Sequence, residues 1–175
     1  MELTPLTEVQ IKPLLFKEAI VKKYDLTLLP LEFVYEGPNV SSLSKNVKKI
    51  ISSALEILEE EIKEASFSLS RKEKEVMDAS YFLNKRIDNN CYYRFEIKVS
   101  YEADINDNGK FKASIKGSLY FELPQETSFQ RSIFYHFFFS LYWNLYYSKI
   151  VEKYISQGKE YLQRFINLLK SNFKV

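Results

Sequence analysis

Residues 92–123 read Tyr-Tyr-Arg-Phe-Glu-Ile-Lys-Val-Ser-Tyr-Glu-Ala-Asp-Ile-Asn-Asp-Asn-Gly-Lys-Phe-Lys-Ala-Ser-Ile-Lys-Gly-Ser-Leu-Tyr-Phe-Glu-Leu. Apolar and polar residues alternate on both sides of a short Asn/Asp/Gly stretch, which is the pattern of two strands joined by a tight turn. A two-residue turn at Asn108-Gly109 sets Ala113 against Asp104 and Leu119 against Lys98, so it mixes the faces. A three-residue loop, Asp107-Asn108-Gly109, instead pairs Ile105 with Phe111, Tyr101 with Ile115, Ile97 with Leu119 and Phe95 with Phe121. It also sets Asp104 against Lys112 and Arg94 against Glu122. The expectation is that register, with Gly109 at positive φ. One side of the hairpin is then apolar and needs cover, while the other is polar.

C-terminal to the hairpin, Ser132 to Ser148 carries no formal charge over 17 residues, nine of them aromatic. Thr127 and Gln130 form a capping box, which predicts a helix from about Ser128. Its polar residues Ser132, His136, Ser140, Asn144 and Ser148 fall four apart and make a short seam in an otherwise apolar surface. From Ile150 the pattern turns amphipathic, with Val151, Tyr154, Ile155, Leu162, Phe165, Ile166, Leu169 and Phe173 on one side. An unbroken helix to Phe173 would be about 69 Å long, against about 40 Å for a globule of this size. A break or bend is expected, with Gly158 the obvious place, although that glycine also falls on the apolar stripe where it permits close packing.

N-terminal to the hairpin, Pro13 opens an expected helix to about Tyr24, and Leu31 to Tyr35 alternates as a short strand closed by Gly37-Pro38. Ser41 to Glu64 reads as a helix with Leu43, Val47, Ile50, Ile51, Ala54, Ile57, Leu58 and Ile62 on one side. A second capping box, Ser70 to Glu73, predicts a helix to about Lys85, with a strand as the alternative. In the 41–64 helix Lys45, Lys48 and Lys49 occupy the first half and Glu56, Glu59, Glu60, Glu61 and Glu64 the second, the reverse of what the helix dipole favours. Laid antiparallel on its own copy, the basic half of such a helix meets the acidic half. Lys45, Lys48, Lys49, Glu56, Glu60 and Glu64 are therefore candidate dimer-interface residues.

The element order predicts a single α+β domain over 1–175. Its small antiparallel sheet, the long hairpin plus a short strand, is covered on one face by helices, and its long aromatic-rich C-terminal helix is broken or bent. From the short strand onward this order resembles the helix-grip lipid-binding domains, with fewer strands, and the resemblance implies an apolar cavity. Phe134, His136, Phe138, Tyr142, Trp143 and Asn144 are the residues that would line it and orient a ligand.

Composition narrows the function. The net charge is +2 from 25 basic and 23 acidic side chains, so no global field attracts nucleic acid. On the polar hairpin face Arg94, Lys98, Lys112 and Lys116 are offset by Glu96, Glu102, Asp104 and Glu122. Tyr, Trp, His and Asn in the aromatic stretch speak against a membrane span. Asp104 to Gly109 matches half of an EF-hand loop, but Ile115 stands where the bidentate Glu belongs, so no metal is expected. His136 and Cys91 are single copies, and phosphate-binding glycine loops are missing, so no cofactor and no catalytic constellation are expected. One cysteine and no secretory N-terminal pattern lead to an expected cytoplasmic location. The reading is a non-catalytic interaction or structural protein that forms a homodimer or other homo-oligomer, without nucleic acid or membrane. The alternative is binding of a small apolar or aromatic ligand in a cavity between the C-terminal helix and the sheet.

Overall fold

The computed structural model describes residues 19–71, 74–125, 127–130 and 132–173. Its strands are β1 (Ala19–Asp25), β2 (Leu31–Pro38), β3 (Lys63–Arg71), β4 (Glu75–Arg86), β5 (Cys91–Ala103) and β6 (Asn108–Pro124). Helices α1 (Val40–Lys45) and α2 (Val47–Leu55) separate β2 from β3. After β6 come α3 (Ile133–Tyr142), a π-helical segment (Trp143–Tyr147) and α4 (Ser148–Phe173). The described residues thus form an α+β fold on one antiparallel sheet of six strands, ordered β1-β6-β5-β4-β3, with β2 also on β6.

β1 and β2 follow one another along β6. Ala19 to Asp25 pair with Pro124 to Ser118, and Leu31 to Pro38 pair with Ile115 to Asn108. Between them Leu26 is buried, and its N–H donates to the Gly117 carbonyl at 3.0 Å.

The hairpin keeps the expected faces but not the expected register. Tyr101 pairs with Phe111, Ile97 with Ile115, Tyr93 with Leu119 and Cys91 with Phe121, so each β5 residue meets β6 four residues earlier than the three-residue loop requires. The cause is the turn. Asp104 Oδ1 accepts the N–H groups of Asn106 and Asn108, both at 2.9 Å, and Asp107 N–H donates to the Asp104 carbonyl at 3.0 Å. These bonds centre the turn on Asn106, two residues earlier than expected, and in it Asp107, at φ 59°, takes the left-handed conformation. Asx residues tolerate that conformation because their side chains bond the local backbone. Gly109 does not have positive φ. Its role is close approach, since a Cβ there would stand 1.8 Å from the Glu102 carbonyl oxygen. Ile105, expected opposite Phe111, lies in the loop and is exposed.

Three expected helices are replaced. Ala19 to Tyr24 is strand, while 13–18 lies outside the described residues. The 41–64 helix is cut at Asn46 and ends at Leu55, where Glu56 turns left-handed at φ 53°. Glu59–Glu61 form one 3-10 turn, and Lys63 starts β3. Carboxylates at Glu59, Glu60 and Glu61 would oppose the negative end of a helix dipole, and stopping at Leu55 avoids that. The expected 71–85 helix is β4. Met77, Ala79, Tyr81 and Leu83 are buried alternately with exposed Asp78, Phe82 and Asn84, a period-two signal that outweighs the capping-box motif. That motif lies in part outside the described residues.

Burial alternates likewise along β5 and β6, giving an inward row of Tyr93, Phe95, Ile97, Val99, Tyr101, Phe111, Ala113, Ile115, Leu119 and Phe121. Against it α4 buries Val151, Tyr161, Leu162, Phe165, Ile166, Leu169 and Phe173. Rings fill the contact: Tyr93 and Tyr161 lie 5.9 Å apart, Phe95 and Tyr161 6.5 Å, and Phe111 and Phe173 4.8 Å. α4 runs unbroken through Gly158, which is buried. A Cβ at Gly158 would stand 2.7 Å from Leu26 Cδ1 and 2.9 Å from Tyr93 Cε1, so the glycine allows close packing and does not mark a break.

Candidate functional site

The uncharged aromatic stretch is anchored at its start by local bonds. The capping box at Thr127 and Gln130 forms both of its hydrogen bonds, Thr127 N–H to Gln130 Oε1 at 2.9 Å and Gln130 N–H to Thr127 Oγ1 at 3.3 Å. These close a turn and not the helix. α3 starts five residues later than expected, at Ile133, with Ser132 as its N-cap accepting from Tyr135 N–H at 3.2 Å.

At its other end the helix widens into the π segment, which changes the side-chain phase between α3 and α4. Trp143 and Tyr147 consequently both reach Phe121 of β6, with ring centroids at 5.1 and 5.6 Å. They stack on each other at 4.5 Å. Trp143 is 4% exposed, and its Nε1–H donates to Tyr24 Oη at 3.0 Å. Lys22 Nζ lies 4.3 Å from the Trp143 ring centroid, and burial lowers the pKa of this lysine. Burial likewise raises the Tyr147 phenol. His136 Nε2 is 3.3 Å from Nε2 of the buried Gln125.

The opposite side of α3 is the reverse of an ordinary surface helix. At about 100° per residue, Ile133, Phe134, Phe137, Phe138, Leu141 and Tyr142 span about half of the helix circumference. All six are exposed, as is Leu145 in the π segment. Phe134, Phe138 and Tyr142 are 73%, 61% and 53% exposed. The proposed lining residues therefore part company: these three point outward, Trp143 points into the core, and His136 meets Gln125. Asn144 lies in the π segment, its side chain being outside those described. Ile133, Phe137, Leu141 and Leu145 complete the outward face and were not singled out from sequence. Their spacing of four was available, but a helix apolar on all sides does not tell which side its neighbours cover.

The candidate interface charges do not share a helix. Lys45 ends α1, Lys48 and Lys49 lie in α2, and Glu56, Glu60 and Glu64 fall in a cap, a 3-10 turn and β3. Lys48 pairs with Glu64 within the same chain at 3.3 Å, and Glu56 with Lys85 at 3.4 Å and with Arg164. The antiparallel charge match needed one continuous helix, and its geometry is not formed.

On the polar side of the sheet a shallow depression of about 740 Å³ is lined by Glu32, Asp78, Glu96, Lys98, Lys112 and Lys116 among others. Both signs of charge alternate in it, and Lys112 pairs with Glu32 at 3.2 Å. The Asp104 and Asp107 carboxylates serve the turn and α1, whose Ser41 N–H donates to Asp107 Oδ1 at 2.8 Å. Cys91 is buried, and burial pushes its thiol up to about 12. Among the described residues no cluster of His, Cys, Asp and Glu is placed to hold a metal ion, and no helix is long and apolar enough to cross a membrane.

No family model and no curated protein matches the chain. Solved structures do. A delta-endotoxin is similar at 11% identity and TM-score 0.32, over 61% of this chain and 62% of that one. The activated Cyt2Ba monomer from Bacillus thuringiensis subsp. israelensis is similar at 10% identity and TM-score 0.32, over 60% of this chain and 74% of that one. This chain thus spans about three fifths of the delta-endotoxin, and likeness at this level carries no argument about function.

Proposed function

We propose that this protein is a non-catalytic interaction protein that self-associates through the outward face of α3. The observation that carries this reading is an uncharged face of seven exposed apolar residues, from Ile133 to Leu145. At about 150–250 Å² per side chain, and with the seven residues 51–84% exposed, the face amounts to roughly 800 Å². The largest apolar patch of a monomer is ordinarily about 300–600 Å², and a stable contact takes about 800 Å² from each partner. A second copy fits because two uncharged faces meet without repulsion and without burying an unpaired charge. In this reading the helical layer covers the apolar side of the sheet, bends at the π segment, and leaves α3 turned away from the core. The free, buried Cys91 suits a reducing cytoplasm.

The test is sedimentation of the wild type and of a Phe134→Glu, Phe138→Glu double variant. Both positions are exposed, so the far-UV circular dichroism should be unchanged while the mass falls by half. A wild type that is monomeric at high micromolar concentration overturns the reading. Binding of that monomer to phosphatidylcholine vesicles, or of an apolar fluorescent probe, would then assign the face to lipid or to a small ligand.

A further inference from the structure

β3 ends the sheet. Among the described residues it pairs with β4 alone, so the backbone N–H and C=O groups along its other side have no strand beside them. Natural edges are usually blunted by a bulge, a proline or charges pointing into the open side. Here there is a bulge between Glu64 and Ser66 and charge at Lys63, Glu64 and Arg71, whereas Ala65 to Ser70 carries neither charge nor proline. All nine residues of β3 are exposed. Phe67 and Leu69 pair with the buried Ala79 and Met77, yet they are 52% and 42% exposed. The core-side cover therefore stops one strand short of the sheet edge.

We infer that β3 is the seam for a second copy of this chain, added edge to edge and antiparallel about a two-fold axis at Ser68. The strand's own sequence selects this occupant. With the axis at Ser68, Phe67 faces the partner's Leu69 and Leu69 faces the partner's Phe67, on the side that carries Ala79 and Met77. On the other side Ser66 faces the partner's Ser70, and Ser68 faces its own equivalent, so no like charges are opposed between residues 66 and 70. An axis at Phe67 would spend each Leu69 on an alanine. A two-fold contact requires one patch complementary to itself, and Phe67 to Leu69 is such a patch. The sheet becomes continuous across two copies, and the open backbone groups of both edges are paired.

This inference shares with the reading of α3 only the identity of the partner. Two separate two-fold contacts on one chain give assemblies of more than two copies, closed or in rows.

The test uses two kinds of variant of the full chain. Directly opposed residues in an antiparallel pair have Cα atoms about 4.5–5.5 Å apart, within disulfide range. Ser68→Cys should therefore give a covalent dimer on mild oxidation, whereas Ser66→Cys, two positions from the axis, should not. Both positions are exposed, and the native Cys91 is buried and does not compete. Separately, Phe67→Lys with Leu69→Lys puts charge on the open edge. Added to the Phe134→Glu, Phe138→Glu chain, it should convert the remaining dimer to monomer. Equal cross-linking of the two cysteine variants overturns the inference, as does a mass that the lysine pair leaves unchanged. If the α3 variant alone already yields monomer, the reading of α3 stands and the β3 seam falls. If only the lysine pair lowers the mass, the seam stands and the α3 contact falls.

Discussion

Trp143 and Tyr24 are joined by a hydrogen bond from the indole Nε1 to the phenol oxygen at 3.0 Å, linking the π segment to the first described strand across 119 positions of sequence. Trp143 is otherwise enclosed by Phe121, Phe139 and Tyr147. The pair sets the side of the helix that faces the sheet, and with it the side left open.

Replacing Trp143 with Ala should cost about 3 to 5 kcal/mol through the cavity it leaves. Trp143→Phe and Tyr24→Phe should each cost about 1 to 2 kcal/mol, since each strands one half of a part-buried bond. The double phenylalanine variant should cost less than the sum of the two. Urea denaturation of the four proteins measures this; strict additivity would show that the bond contributes nothing beyond packing.

Gly158→Ala has opposing terms. Alanine favours a helix over glycine by about 1 kcal/mol, but overpacking a core costs about 1 to 3 kcal/mol. The new methyl would meet Leu26, which is buried, and Tyr93, whose hydroxyl is held by the Tyr154 carbonyl at 2.7 Å. The expected net result is destabilisation. Adding Gly158→Ala to a Leu26→Ala chain should instead be neutral or stabilising, because the truncated leucine leaves room. Thermal unfolding of the single and paired variants decides.

The Glu56 carboxylate is held below its ordinary pKa by hydrogen bonds from Arg164 and Lys85, in that order. A folded-state pKa that is depressed contributes stability above the unfolded pKa, and this stability is lost as pH falls through the folded value. Because the side chain is 54% exposed, the contribution should be only tenths of a kcal/mol. Glu56→Gln should therefore be slightly less stable than wild type at neutral pH and equal to it near pH 3. The neutral-pH difference should also shrink in high salt. A gap that widens on acidification contradicts this assignment.

Asp107 serves two elements, holding the left-handed position of the hairpin loop and accepting the Ser41 N–H of α1. Asp107→Asn keeps an acceptor and tolerates that conformation, so it should be nearly neutral. Asp107→Ala loses both advantages and should cost about 1 to 2 kcal/mol, as for a helix cap. Asp107→Gly should fall between the two, relieving the backbone while losing the bond. Chemical denaturation ranks the three.

The face parity of β5 and β6 and the apolar stripe of α4 were legible in the sequence, because they follow from local periodicity, and a backbone of known pitch carries that into space. The register of the hairpin was not, since every shift by an even number of residues preserves the faces. Asp104 chose among those shifts by bonding Asn106 and Asn108. Residues 71–85 could satisfy either a helix or a strand pattern, and the choice fell to β5, whose backbone pairs with Glu75 to Arg86 and makes β4 part of the sheet. The outward face of α3 was the least legible. Its sequence is apolar all round, so periodicity could not say which half is covered; the contacts of Trp143 with Tyr24 and Phe121 decide that, and they join segments far apart along the chain.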